Sequence, residues 1–194
     1  MTATHHLLHA GYAHDDGVAS SVSLVIDGEV KIVVDPGMVA ERGLILDPLR
    51  SLGVEPEEVT HVVITHHHPD HTMNIGLFPN AEIVDFWARY RGDQWLDHEG
   101  DGYRVTKHCR LLLTPGHTPQ DATLLVETDD GVVACTHAWW RSDRTPRSTR
   151  WPMTRQRWRP AGSESWTRPT SSCPGTGSRF TPRSLGLAEG QLAA

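Results

Sequence analysis

The 194-residue sequence has few cysteines and no long apolar run, and both shortages limit the class of protein. Its three cysteines, Cys109, Cys135 and Cys173, are odd in number and far apart, which argues against a disulfide framework and favours a reducing compartment. No stretch approaches the roughly 20 apolar residues that span a bilayer, and no basic segment followed by an apolar run marks a signal peptide. We therefore expect a cytoplasmic protein with no membrane partner, built as one domain with a sizeable core.

Histidine, valine and isoleucine are absent from the C-terminal part of the chain. Residues 1–140 hold all 13 histidines and carry a formal charge of −13, whereas residues 141–194 contain ten arginines, three acidic residues and no valine or isoleucine. Such a tail cannot form an apolar face large enough to offset the entropy lost on ordering. We therefore divide the chain into a folded domain, residues 1–141, and a low-complexity Arg/Ser/Thr/Pro-rich tail, residues 142–194, expected to be disordered or read out of frame.

The most informative stretch that is present is Thr65-His66-His67-His68-Pro69-Asp70-His71, a His-x-His-x-Asp-His pattern. Imidazole is a good ligand for zinc, and a carboxylate extends the choice to iron or manganese. The apolar run 61–64 before it is typical of a buried strand, and Pro69 disfavours helix through the ligands themselves. We expect the ligands to follow a core strand in a loop, where catalytic groups are often presented.

Other segments predict a mixed α/β fold. Residues 22–26 and 31–34 are β-rich and are joined by Asp27-Gly28, a strong hairpin pattern. Leucines 44, 46, 49 and 52 recur at helical spacing before Gly53, which favours a helix ending there. A short helix is expected to begin near Ile75. Further strands are predicted at 61–64, 82–84, 110–113, 123–128 and 131–135.

Taken together, these motifs resemble the metallo-β-lactamase superfamily. Asp35-Pro36-Gly37 is similar to its Asp-x-Gly turn, and Thr114-Pro115-Gly116-His117-Thr118 to its second metal motif. The segments 59–63 and 74–79 look most like the branch named metallo-β-lactamase domain-containing protein 1. The resemblance covers about residues 20–137 and implies an α+β fold, the metallo-β-lactamase αβ/βα four-layer sandwich, with its C-terminal part incomplete.

The resemblance also implies a site that binds one or two zinc ions. His66, His68 and His117 would bind the first metal, and Asp70 and His71 the second, where iron or manganese are alternatives. Asp70 is the residue we expect to be catalytic. Asp35 would orient a ligand histidine without touching a metal. His67 lies inside the motif, but its side chain is expected to point away from the metals.

Two positions depart from the family pattern. His137 stands where the family has a bridging carboxylate; it can ligate one metal, but neutral imidazole is a poor bridge. Thr176 stands where the family has its last ligand histidine, and no histidine follows residue 137. The second metal would therefore keep only Asp70, His71 and His137.

The tail has two interpretations. A basic arm could bind nucleic acid or an acidic partner. Alternatively, a frameshift near residues 141–143 accounts for it: read two bases later with GC-rich codons, residues 171–177 become Val-Val-Pro-Gly-His-Gly, the family's last ligand motif. In the same shifted frame, the codons of residues 151–162 can encode a segment rich in strong helix formers. We favour the frameshift, because two separate segments resemble the family's sequence when they are translated in the shifted frame.

These observations predict a zinc-dependent hydrolase that uses a metal-activated water on an ester- or phosphodiester-type substrate. The family branch implies an endoribonuclease as an alternative, although the acidic body does not attract a polyanion such as RNA. A second alternative is a catalytically impaired metal-binding remnant. The substrate, a small molecule or RNA, and the oligomeric state, with a homodimer as one option, are left open.

Overall fold

The computed structural model of the chain describes residues 2–14 and 16–137 and the backbone of residues 171–174. The α-helices are α1 (Gly43–Ser51) and α2 (Pro69–Thr72), and short 3-10 helices cover Pro56–Glu58 and Ile75–Leu77. The strands are, in chain order, β1 (Thr4–His9), β2 (Tyr12–His14), β3 (Gly17–Ala19), β4 (Val22–Asp27), β5 (Val30–Val34), β6 (His61–Val63), β7 (Glu82–Val84), β8 (Ala88–Arg91), β9 (Gln94–Asp97), β10 (Tyr103–Arg104), β11 (Cys109–Leu113), β12 (Ala122–Thr128), β13 (Gly131–Thr136) and β14 (Ser171–Pro174).

Two sheets contain most of these strands. The first has the order β1-β4-β5-β6-β7-β8-β9 and the second the order β10-β11-β12-β13-β14, while β2 and β3 form a separate hairpin. Within the first sheet β5, β6 and β7 run parallel to one another, and the other pairs are antiparallel. The β4–β5 hairpin confirms the prediction from Asp27-Gly28, because Gly28 occupies the turn with a φ of +63°.

The main core lies where the two sheets face each other. Val25, Ile32 and Val63 of the first sheet pack with Leu111 and Leu124 of the second, and all five side chains are fully buried. Alternation along each strand supplies these residues, since successive side chains point to opposite faces. This packing of sheet on sheet is the centre of the predicted sandwich.

Helix α1 covers the other face of the first sheet. Ile45 and Leu49, four residues apart, are its buried side chains and pack on Leu24, Val33 and neighbouring residues. The predicted helix and its end near Gly53, which has a φ of +74°, are confirmed. The predicted leucine stripe is wrong in detail: Leu44 and Leu52 are exposed, because the apolar face is centred on Ile45 and Leu49.

The parallel strands determine where a site can form. Because β5, β6 and β7 share one direction, the residues that follow their carboxyl ends lie at the same edge of the sheet. Asp35 follows β5, Thr65 to His68 follow β6, and Asp85 follows β7. Polar residues from three loops are thus collected at one edge.

Only four residues of the tail belong to the described structure. Ser171–Pro174 form β14, which pairs in parallel with β13 from Val133↔Ser171 to Thr136↔Pro174. The expectation that the tail is disordered or read out of frame stays a prediction. The remaining expectations for residues 142–194, including Thr176, lie outside the described residues.

Among the described residues, no helix is long and apolar enough to cross a membrane.

Candidate metal centre

Three of the predicted ligands converge at the edge described above. His68 Nδ1 lies 2.8 Å from His66 Nε2 and 3.3 Å from His117 Nε2. His66 is buried, while His68 is exposed and His117 half-buried, so one side of the group faces solvent. The exposed side of the group leaves an open approach for a small ligand.

His71 and Asp35 form a buried pair behind this group. Asp35 Oδ2 lies 2.9 Å from His71 Nδ1, and Asp35 also accepts hydrogen bonds from the Thr65 amide at 2.7 Å and the Thr65 hydroxyl at 2.6 Å. The carboxylate fixes the imidazole so that Nε2 points away from it, towards Asp70 Oδ2 at 3.4 Å. The structure thus places the Asp35 carboxylate against His71, and its role in orienting a metal ligand stays a prediction.

His137 lies among all of these imidazoles. Its ring centre is 4.0 Å from that of His66, 4.6 Å from that of His71 and 4.8 Å from that of His117. It follows β13 directly, and its side chain is buried. Two groups of three residues each bring one potential ligand atom per residue within 4.8 Å of the others. One group is His66, His117 and His137, and the other is His66, His68 and Asp70. His137 thus belongs as much to the first predicted set of ligands as to the second.

The loop that carries the ligands is partly helical. The expectation that Pro69 keeps helix out of the motif is wrong, since α2 begins at Pro69 and contains Asp70 and His71. Proline is tolerated in a first helical turn, where its missing N–H has no intrahelical partner. The turn directs Asp70 and His71 inwards, and both are buried.

The site is electrostatically suited to a cation. Burial, followed by the neighbouring histidines, lowers the pKa of His66 and of His137, and burial lowers the pKa of His117. These imidazoles are neutral at pH 7, the form that binds metal. Burial alone would lower the pKa of His71, but the carboxylates of Asp35 and Asp70 raise it to about 9. A cation at Nε2 would displace that proton.

Buried ligand atoms without hydrogen bonds support the same interpretation. Asp70 Oδ2, His71 Nε2 and His66 Nδ1 are buried and make no hydrogen bond within the described part of the chain. Leaving a buried polar atom unpaired costs about 1–3 kcal/mol. A metal ion held by Asp70 and His71 would satisfy two of these atoms, so the donor set fits the implied cofactor.

Comparison with known proteins assigns this arrangement to a family. A family model described as the metallo-β-lactamase superfamily matches residues 15–136. The chain belongs to the metallo-β-lactamase superfamily.

The relatives of this chain carry more than one name. It is similar to metallo-β-lactamase domain-containing protein 1 of Xenopus laevis, at 36% identity over 62% of this chain and 56% of the relative. It is also similar to an N-acyl homoserine lactonase of a Bacillus species, at 34% identity over 46% of this chain and 41% of the relative. The chain spans about half the length of these curated relatives.

A solved structure supports the fold. A Thermotoga maritima protein described as a metallo-β-lactamase superposes with a TM-score of 0.57 at 21% identity, over 70% of this chain and 78% of that one. At this identity the likeness concerns the fold alone. The α+β sandwich predicted from the motifs is confirmed by this match and by the family assignment.

Two acidic residues near the candidate metal centre were missed as site residues. Asp121 is buried and accepts hydrogen bonds from the Thr118 amide, at 2.8 Å, and the Thr118 hydroxyl, which closes the loop that presents His117. The Thr118-to-Asp121 spacing is a turn pattern that could have indicated this. The second residue, Asp85, contacts His67. Asp85 directly follows β7, the parallel neighbour of β6, and this position could have indicated that it lies near the site.

Proposed function

We propose that the chain is a zinc-dependent hydrolase that cleaves a carboxylic ester or lactone with a water molecule bound at the His66–His68–His117 group. The superfamily membership supports hydrolase chemistry in general; the metal and the bond cleaved are the content of the proposal. One observation carries it: at a solvent-facing edge, His68 Nδ1 lies within 3.3 Å of a ring nitrogen of both His66 and His117.

The separations of these nitrogens are close to those of a tetrahedral zinc site. Zinc–nitrogen bonds of 2.0–2.1 Å place two tetrahedral ligands about 3.3 Å apart. The His68–His117 separation is 3.3 Å, and the His66–His68 separation of 2.8 Å needs to open by about half an ångström. His66, His68 and His117 would supply three ligands, and the solvent-facing side of the group would be open to water, as catalytic zinc sites require.

Zinc bound there supplies a Lewis acid that lowers the pKa of its water towards neutrality and polarises the substrate's oxygen. Asp70, next to the three histidines, has an ionised carboxylate: burial raises its pKa, but the contacts with His71, a backbone hydrogen bond and the nearby His66 together lower it below its ordinary value. It can accept a proton from the water and orient it for attack. His71 is held by Asp35 and in turn positions Asp70.

Electrostatics favours an uncharged ester over RNA. Residues 1–140 carry a formal charge of −13, and a polyanion is attracted by clustered Lys and Arg instead. One of the relatives is named as a lactonase, which supports the same substrate class. An endoribonuclease therefore remains the alternative that the experiment must separate from an esterase.

The test is hydrolysis by the purified, zinc-loaded chain of 4-nitrophenyl acetate, an N-acyl lactone and a single-stranded RNA. We expect activity on the ester or lactone that disappears with a chelator and returns with zinc. His66→Ala should remove most bound zinc and the activity, whereas His61→Ala, an imidazole at the other end of the same strand, should retain both. Activity on RNA alone would assign the endoribonuclease function. Full ester activity in His66→Ala would contradict the proposed site.

A further inference from the structure

Asp85 is a buried carboxylate outside the ligand set, with donors on several sides. Its side chain is only 1% exposed. Oδ2 lies 2.9 Å from His67 Nε2, and Oδ1 accepts the main-chain N–H groups of Trp87 at 2.8 Å and Ala88 at 3.0 Å. The Tyr90 hydroxyl lies 2.9 Å from Oδ2 and 3.1 Å from Oδ1. An ionised carboxylate accepts hydrogen bonds only, so His67 donates its Nε2 proton.

The position of His67 gives this contact its significance. His67 lies between His66 and His68 in the chain, and its side chain is directed to the opposite side of the loop, as alternation in an extended segment requires. Because its ring is held by a buried carboxylate, His67 has little freedom in its backbone dihedral angles. The directions of the ligands before and after it are therefore restricted as well.

The turn that carries Asp85 is itself firmly held. The Asp85 amide donates to the Ala88 carbonyl at 3.1 Å, closing the β7–β8 turn, and His98 Nε2 lies 3.0 Å from the main-chain oxygen of Asp85. The Trp87 ring packs against the His67 ring with centres 5.1 Å apart. Asp85 thus connects the ligand loop to a rigid part of the first sheet.

We propose that Asp85 is a positioning residue of the metal centre, which holds His66 and His68 in ligating geometry by fixing His67 between them. The inference rests on the proposed zinc site. It differs from the role of Asp35, which contacts a ligand histidine directly. Groups that orient metal ligands typically change metal affinity by 10–100-fold when removed.

A purely structural role makes a different prediction. The His67 side chain is about one-third exposed, so its removal should change the stability of the metal-free protein little. If His67 and Asp85 only stabilised the fold, their loss would lower the melting temperature without a selective change in zinc affinity. A positioning role predicts weaker zinc binding without a corresponding loss of melting temperature.

The experiment measures the zinc dissociation constant by competition with a chromophoric chelator in the full chain. His67→Ala should weaken zinc binding by roughly 10–100-fold, whereas His67→Gln, which keeps a side-chain N–H donor near Nε2, should recover most of the affinity. Asp85→Asn should weaken binding to a similar degree: its one side-chain oxygen is needed by the Trp87 and Ala88 amides, so an NH2 group, which cannot accept a proton, would face His67. The double variant should be no weaker than either single one, since both changes remove one interaction. His61→Ala is the matched control and should be unchanged.

The outcomes are separable. Amide hydrogen exchange of residues 65–68 in the metal-free protein should increase in His67→Ala and return to the native rate in His67→Gln. Native zinc affinity in both His67→Ala and Asp85→Asn would overturn the positioning role while leaving the proposed function intact. Equal losses in His67→Ala and His67→Gln would also overturn it, because the donor would then be irrelevant. A native chain that binds no zinc would contradict the proposed function and this inference together.

Discussion

Asp35 holds His71 through a 2.9 Å contact while adopting a backbone conformation that few residues tolerate. Its φ is +52°, and it is the one non-glycine residue in the described chain with a positive φ. Thr65 donates two hydrogen bonds to the same carboxylate, and the Ser20 hydroxyl donates to the Asp35 carbonyl at 2.9 Å. Backbone strain maintained by so many contacts is typical of functional sites.

Asp35→Asn should separate the charge of Asp35 from its conformation. Asparagine tolerates a positive φ, so this variant should fold. It should bind zinc less tightly, by roughly 10–100-fold, because His71 and the Asp70 carboxylate beside the histidine ligands lose their fixed positions. Asp35→Ala should in addition lose about 1 kcal/mol of stability from the backbone conformation. Zinc titration and urea denaturation of both variants measure the two effects. Identical zinc binding in Asp35→Asn and the native chain would show that the carboxylate charge does not act on the site.

Gly37 permits the close contact between the Asp35 turn and α2. A Cβ at residue 37 would lie 1.6 Å from the carbonyl oxygen of Asp70, a backbone atom that cannot move without shifting the ligand. Gly37→Ala should therefore destabilise the fold by about 3 kcal/mol or more and reduce zinc binding. Gly76→Ala, whose Cβ meets nothing within 4 Å, is the control. Equal unfolding midpoints for the two variants in urea would contradict this prediction.

The free energy of unfolding should fall in acid, in part because Asp27 becomes protonated. Its carboxylate lies 2.8 Å from His108 Nδ1 and accepts hydrogen bonds from Thr106 and the His108 amide. Burial raises the pKa of Asp27, but these hydrogen bonds lower it further, so the folded pKa lies below its ordinary value. The stabilisation that Asp27 contributes is therefore complete above its pKa in the unfolded chain, about 3.9. It is lost as the pH falls through the lower pKa of Asp27 in the folded chain.

The corresponding variant is Asp27→Asn. It should lose about 1–2 kcal/mol at pH 7 and show a shallower decline in stability below pH ~4. Urea denaturation between pH 7 and pH 3 measures both quantities, with the exposed Asp93→Asn as control. Parallel pH profiles for Asp27→Asn and the native chain would show that Asp27 does not titrate with folding.

The sequence predicted the parts of the site that depend on spacing along the chain. His66, His68, Asp70 and His71 lie in one motif that follows an apolar strand, and the strand–loop transition was predictable from that pattern. His117 was assigned through the resemblance of Thr114-Pro115-Gly116-His117-Thr118 to the family's second metal motif. The structure brings these residues together, and their binding of metal stays a prediction.

Contacts between distant segments could not be predicted in the same way. Asp85 and His67 are 18 residues apart, and their contact depends on the pairing of β6 with β7 and on the β7–β8 turn. The strand β1 was missed for a different reason: His5 and His6 obscure its alternation, although His5 Nε2 lies 3.0 Å from the Ser23 hydroxyl on β4. Polar residues satisfied by tertiary contacts leave no periodic pattern.

His137 is the residue whose replacement should increase activity. It lies between His66, His71 and His117 and stands where the family pattern has a bridging carboxylate. A carboxylate has two oxygens and can bind two cations, whereas an imidazole has one free lone pair. We therefore expect the native chain to bind close to one zinc ion, at the three-histidine group, and to be a weak hydrolase.

His137→Asp should add a second zinc ion held with Asp70 and His71. Two cations hold and ionise the water better than one, so turnover should rise by at least roughly tenfold, a barrier change of about 1.4 kcal/mol. His137→Asn has nearly the same shape but no charge, and should bind no additional zinc. Elemental analysis of zinc per chain and ester hydrolysis at saturating zinc test the prediction. If His137→Asp and His137→Asn bind the same amount of zinc and hydrolyse the ester at the same rate, a bridging carboxylate is not what this centre lacks.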